Sequence, residues 1–160
     1  METSVISYLT GRTSREIKIA AEQRTTRKWW EGAESRFDLY ISRLVLLESG
    51  AGDPEAAERR LSAVRHFPKL TVTPECLVLA QTLCLKAGLP KKATNDALHL
   101  AIAVVHGMDY LVTWDCRHLA NESRIPRIRS IIISSGHASP VICTPRSFGS
   151  WGTYETFVQR

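Results

Sequence analysis

The apolar positions of this chain recur with two periods, and the switches between them lay out its elements. Residues 15 to 33 set Ile17, Ala20, Ala21, Trp29 and Trp30 among Glu, Gln, Arg and Lys, which predicts a helix closing around Gly32. "RFDLYIS" (36–42) alternates Phe37, Leu39 and Ile41 with polar partners and predicts a strand; "RLVLLES" after it predicts a short helix ended at Gly50. Asp53-Pro54 opens a further helix, "PEAAERRLSAVRHF", with Pro in its first turn and Pro68 as its stop. "KLTVT" (69–73) predicts a brief strand, and Pro74 begins a helix through Lys86 that Gly88 and Pro90 close.

The clearest helix is "ATNDALHLAIAVVHG" (93–107), with Thr94 as cap, Ala97, Leu98, Ala101, Ile102 and Val105 on one stripe, and Gly107 as its end. "DYLVTW" (109–114) predicts a buried strand, "DCRHLAN" (115–121) a turn into a short helix, "PRIRSIIISSG" (126–136) a helix and "PVICTP" (140–145) a last strand. At the front, "METSVISYLT" predicts a short helix capped by Thr3 or Ser4, which leaves Glu2 where a chain passes from strand to helix. Strands separated by helices imply a parallel sheet covered on both faces. The expected architecture is therefore α/β, a three-layer α/β/α sandwich in one domain over residues 1–160.

Composition narrows the function classes. A chain of 160 residues buries enough surface to fold without disulfides or metals. No stretch reaches the roughly 18 to 20 uncharged apolar residues of a membrane span, and no charged segment leads into an apolar one at the front, so a cytoplasmic protein is expected. Cys76, Cys84, Cys116 and Cys143 are too scattered for a zinc site or a disulfide framework and are expected to be buried, reduced thiols. Lys and Arg exceed Asp and Glu by 21 to 16, which suits a polyanionic partner and equally a solvated basic face.

In a parallel sheet, ligands gather beyond the carboxyl ends of strands, so acids at element ends carry the candidate chemistry. Asp115 directly follows "YLVTW". Asp96 lies in the first turn of the apolar helix, where the helix dipole alone also accounts for a negative charge. Glu48 ends "LVLLE" and reads equally as a solvated residue before Gly50; Glu2 reads equally as a frayed terminal residue. His99 and His106 fall on a helix devoted to packing and His118 in a loop, so none is assigned a role. Trp114, Trp29, Trp30 and Tyr40 are read as core or dimer-surface residues.

Taken with their surroundings, "TSVISYL" behind an acid, "LVLLESGAGDPEAAERR", "NDALHLAIAVVHGMDYLVTWDCRHLAN" and "VICTP" resemble successive blocks of the PIN-domain family, which includes the VapC-like toxins of bacterial toxin–antitoxin pairs. The third block combines several independent features and is the specific one. The resemblance implies a divalent-metal-dependent endoribonuclease whose acids converge on one pocket. By matching blocks, Glu2, Glu48, Asp96 and Asp115 are the catalytic and metal-binding acids, and Thr3 and Ser4 the hydroxyls that support the first of them. Such acids would repel one another without a cation, and a hard ion held by oxygen relieves that, which favours Mg²⁺ or Mn²⁺. RNA is the implied substrate, with Arg12, Arg15, Lys91, Lys92 and Arg117 as candidate rim cations for flanking phosphates. A homodimer, formed through the Trp-containing helix 17–30, and an antitoxin that inserts a basic side chain into the pocket are the expected partners.

Two departures accompany the resemblance: the first acid is Glu rather than the usual Asp, and the strand expected before it is absent. An upstream start that restores the strand is the favoured expectation, and a truncated chain the other. The alternative functions are a catalytically impaired PIN-like binding module and a flavodoxin-like phosphate-binding domain. The last has no G-x-G-x-x-G or Walker pattern in its support.

Overall fold

The structure is a computed structural model and describes residues 1–90 and 93–149. Its elements are α1 (Thr3–Thr10), α2 (Ile17–Arg36), β1 (Ile41–Ser42), α3 (Arg43–Ser49), α4 (Pro54–Val64), β2 (Lys69–Leu70), α5 (Pro74–Ala87), α6 (Thr94–Val105), β3 (Tyr110–Val112), α7 (Ile125–Ser134) and β4 (Val141–Cys143), followed by a 3₁₀ turn at Pro145–Gly149. The helices fall where periodicity puts them because their start and stop chemistry is strong. Asp53 and Thr73 each cap a helix that has Pro in its first turn, accepting from Ala56 N–H and Cys76 N–H, and Gly88 ends α5 in the left-handed region at φ 66°.

The α/β class holds, but the central sheet differs from expectation. The strands form two separate parallel pairs, β1 with β2 (Ile41 opposite Lys69) and β3 with β4 (Leu111 opposite Ile142). Residues 1 and 2 bridge them: the Met1 amine donates to Tyr40 O at 2.9 Å and Glu2 N–H to Val112 O at 3.0 Å. Ahead of that bridge a cleft of about 360 Å³ separates the pairs, lined among others by Met1, Leu39, Tyr40, Tyr110 and Phe148. This explains why the strands are short. "RFDLYIS" is regular only at Ile41–Ser42, "KLTVT" only at Lys69–Leu70 and "DYLVTW" only at Tyr110–Val112, because an extended segment becomes a strand only where a ladder partner lies alongside.

Three apolar clusters hold the molecule together. The largest wraps α6, which is buried nearly all round through Ala97, Leu100, Ala101, Ile102, Ala103 and Val104, against α5, α7, β3 and β4. A second joins Val5, Trp29, Val112, Trp114 and Phe148, and a third Ile6, Ile41, Val45, Val64 and Phe67; Met1, Trp30 and Leu39 pack against both. Trp29 and Trp114 are therefore core residues, and the apolar side chains that α2 leaves to solvent reduce to Ile17 among the large ones. Arg27 fastens α1 to α2 by donating to Leu9 O and Gly11 O.

Other details depart from expectation. Glu2, rather than Thr3 or Ser4, caps α1, accepting from Ser4 N–H at 3.1 Å. Ala93 precedes α6 in place of a side-chain cap. "DCRHLAN" makes turns and no helix. All four cysteines are free, yet Cys84 on α5 is half-buried, and Cys116 is exposed because residues 116 and 117 ride the turn after β3. Cys143 is buried, which pushes its thiol up to about 12. No helix among the described residues is long and apolar enough to cross a membrane.

Burial lowers the Met1 amine from 8.0 to about 6, against the opposing pull of Glu2. The unfolded chain then binds more protons between pH 6 and 8, so stability rises with pH through that window. A chain carrying four apolar β-branched residues ahead of Met1 is expected to place them in the cleft and gain ladder bonds with both pairs. Its melting temperature should exceed that of the 160-residue chain, by more at pH 6 than at pH 8, because an amide replaces the buried amine. Equal melting temperatures at both pH values would mean that the cleft does not admit a strand.

Candidate active site

Four separate elements deliver carboxylates to one end of the strands. Glu2 precedes α1, Glu48 lies near the end of α3, Asp96 sits in the first turn of α6, and Asp115 follows β3. Glu2 is buried and fully engaged: Ser4 N–H, Ser4 Oγ and Thr113 Oγ1 all donate to its carboxylate, the last at 2.8 Å. Ser4 Oγ also accepts from Trp114 N–H at 2.8 Å, and Thr113 Oγ1 accepts from Asp115 N–H at 2.9 Å. The two hydroxyls thus tie the first acid to the stretch that carries the last.

Glu48 is held from three sides. Thr3 Oγ1 donates to Oε2, Asn95 Nδ2 donates to Oε1 at 2.9 Å, and His99 Nε2 lies 2.9 Å from Oε2. Burial pushes the Glu48 carboxyl up, but the hydrogen bonds from His99, Thr3 and Asn95, with the charge of His99, outweigh it and hold the group at about 2. Asp96 behaves oppositely. Burial and the charge of Asp115 raise it, only partly offset by His118, whose Nδ1 lies 2.9 Å from Asp96 Oδ2.

Asp115 divides its two oxygens. Oδ1 accepts from the N–H groups of Arg117 and His118, both at 3.0 Å, which folds the turn back over the carboxylate. Oδ2 is buried with no hydrogen bond among the described residues; its closest cationic neighbour is His118 Nδ1 at 3.4 Å, already engaged with Asp96. An unpaired buried carboxylate oxygen is costly unless something positive completes it. The donor atoms fall into two trios, Glu2–Glu48–His99 and Asp96–Asp115–His118, each with its atoms within 4.8 Å of one another. The charge of Glu2 is also felt at Asp96, so the trios adjoin.

A family model, PIN domain, matches residues 1–121. The chain belongs to the PIN-domain family. PIN domains are generally nucleases and typically bind a divalent metal, and the matched span contains all four acids. No curated protein and no solved structure matches the chain significantly.

The histidines are what sequence reasoning missed. His99 and His118, assigned no role from the sequence, are the direct partners of Glu48 and Asp96. The available signal was spacing: each lies three residues after a candidate acid, Asp96-x-x-His99 on one face of α6 and Asp115-x-x-His118 around a turn. His106 does stay outside, donating from Nε2 to Thr71 O beyond β2. Of the candidate rim cations, Arg15 and Arg117 are exposed, Arg12 is exposed and pairs loosely with Glu55 at 3.4 Å, and Lys91 and Lys92 lie outside the described residues. Arg146, not singled out from the sequence, sits over the Trp114 ring at 5.8 Å, with its charge felt at Cys116 beside Asp115. Trp114 itself is committed to packing: its indole N–H donates to Thr26 Oγ1 and its ring stacks on Tyr8.

A carboxyl held at about 2 contributes stability that is complete above its unfolded value near 4.5 and is lost as pH falls toward 2. Metal-free wild type should therefore lose stability in acid titration across that window, and Glu48→Gln should flatten that part of the profile. Chemical denaturation at pH 2.5, 4 and 6 reads the difference; parallel profiles would mean that His99, Thr3 and Asn95 do not stabilise the ionised form.

Proposed function

We propose that this PIN domain is a divalent-metal-dependent endoribonuclease, the VapC-like toxin of a type II toxin–antitoxin pair, acting in the cytoplasm as one domain over residues 1–160 in a three-layer arrangement. The observation that carries the reading is the meeting of Glu2, Glu48, Asp96 and Asp115 from four elements, with Asp115 Oδ2 buried and without a hydrogen bond. Such a donor set fits a hard divalent ion, Mg²⁺ or Mn²⁺, better than it fits nothing. Asp96 and Asp115 would hold the ion, Glu48 stands beside them locked in its ionised form, and Glu2 joins through Thr113.

An ion held there by Asp96 and Asp115 would supply positive charge for activating water toward a phosphodiester and for offsetting charge on the leaving oxygen. The chain's own residues do the rest. Thr3 and Ser4 orient Glu48 and Glu2, the Asp115 turn shapes the rim, and Arg117, Arg15 and Arg146 offer exposed charge to flanking phosphates. An antitoxin would satisfy the same negative pocket with a basic side chain. Self-association is supported by α5 rather than α2: Val78 and Leu85 lie one heptad apart on its outer face at 64 % and 82 % exposure, with Leu77 beside them.

Asp96→Asn and Asp115→Asn are each expected to abolish metal-dependent RNA cleavage while the circular dichroism spectrum is kept. Because Asp96 is raised by burial and by Asp115, removing its charge should leave the metal-free protein as stable or more stable at neutral pH. Full cleavage by either variant at equal metal removes that acid from the mechanism. Light scattering should give a dimer mass for wild type at micromolar concentration and a monomer mass for Leu85→Asp; a wild-type monomer contradicts the dimer.

A further inference from the structure

We propose that His118 is itself a metal ligand, its Nδ1 completing with Asp96 and Asp115 a mixed nitrogen–oxygen subsite that selects first-row transition ions such as Mn²⁺ over Mg²⁺. The inference rests on the metal-dependent reading above and adds a donor that four acids alone do not contain. The two trios differ in what they have left to give. Glu48 takes hydrogen bonds from Thr3, Asn95 and His99, and Glu2 from Ser4 twice and from Thr113, so both are largely satisfied by the protein. The other trio is incomplete. Asp115 has spent Oδ1 on two backbone N–H groups and keeps Oδ2 buried without a hydrogen bond.

His118 Nδ1 points into that gap, 2.9 Å from Asp96 Oδ2 and 3.4 Å from Asp115 Oδ2. Around an octahedral ion with donors at roughly 2.1 Å, neighbouring donors lie about 3 Å apart, so these separations match the edges of such a polyhedron. A proton on Nδ1 satisfies Asp96 and leaves Asp115 Oδ2 without a hydrogen bond; an ion satisfies all three atoms together. The ring is also positioned for it, because the His118 backbone N–H is anchored on Asp115 Oδ1 and the side chain is only 14 % exposed. An imidazole nitrogen is a poor ligand for Mg²⁺ and a good one for transition ions, so its presence sets the preference.

Mn²⁺ titrated into the metal-free 160-residue protein and examined by pulsed electron paramagnetic resonance gives a readout independent of activity. The wild-type spectrum should show ¹⁴N coupling to the bound ion. His118→Gln should lose that coupling and bind Mn²⁺ about tenfold more weakly by calorimetry, with Mg²⁺ affinity changed by less than about threefold, whereas His99→Gln should keep the coupling. Stoichiometric Mn²⁺ without ¹⁴N coupling in wild type, or coupling that persists in His118→Gln, overturns the assignment of His118 and leaves the nuclease reading standing. A wild-type protein that binds no divalent ion overturns both.

Discussion

Glu2 is the point on which the arrangement depends. Its backbone N–H holds the β3–β4 pair, the neighbouring Met1 amine holds the end of the β1–β2 pair, and its carboxylate caps α1. The same carboxylate accepts from Thr113 Oγ1, which in turn accepts from the Asp115 N–H. With two short parallel pairs and no continuous sheet between them, these few bonds fix the distance between the halves of the site. A side chain that caps α1 and also accepts from Ser4 Oγ and Thr113 Oγ1 is fixed in place from several directions.

The pocket holds several carboxylates close together, and its two halves do so differently. Two solutions stand side by side. Glu48 is stabilised as an anion by donors on α1 and α6, so that burial, which alone would neutralise it, loses to hydrogen bonding. Asp96 is left under strain by burial and by Asp115, with His118 as partial relief. One half of the pocket is therefore satisfied by hydrogen bonds within the fold, while in the other Asp115 Oδ2 is buried without one. The cross-pairing of histidines strengthens the division, since His99 serves Glu48 on α3, while His118, from the turn after β3, serves Asp96 on α6.

Much of this was legible in the sequence wherever a local rule decided the outcome. Asp53-Pro54, Thr73-Pro74 and Gly88 carry their own start and stop chemistry, and the helices follow. Strand length was not legible, because Phe37 and Leu39 alternate as strand residues do whether or not a neighbour runs beside them, and here they face a cleft. The acids could be placed by their element ends and by the PIN-like blocks around them. The histidines could not be weighed in the same way: His99 lies 51 residues from Glu48 and His118 lies 22 from Asp96, and only the packing of α6 against α3 and the β3 turn brings those pairs together. Cys116 was misread for a related reason, since its exposure depends on a turn that Asp115 itself folds.

The bond from Thr113 Oγ1 to Glu2 spans 111 residues of chain, and the pair Asp96–His118 closes only after residue 118 is made. During synthesis at roughly 5–20 residues per second, the first acid leaves the ribosome several seconds before the partners that give it a shape. Through that interval the nascent chain holds isolated carboxylates and no pocket. The pocket is thus a late product of the chain, assembled only once the residues through His118 have joined those made first.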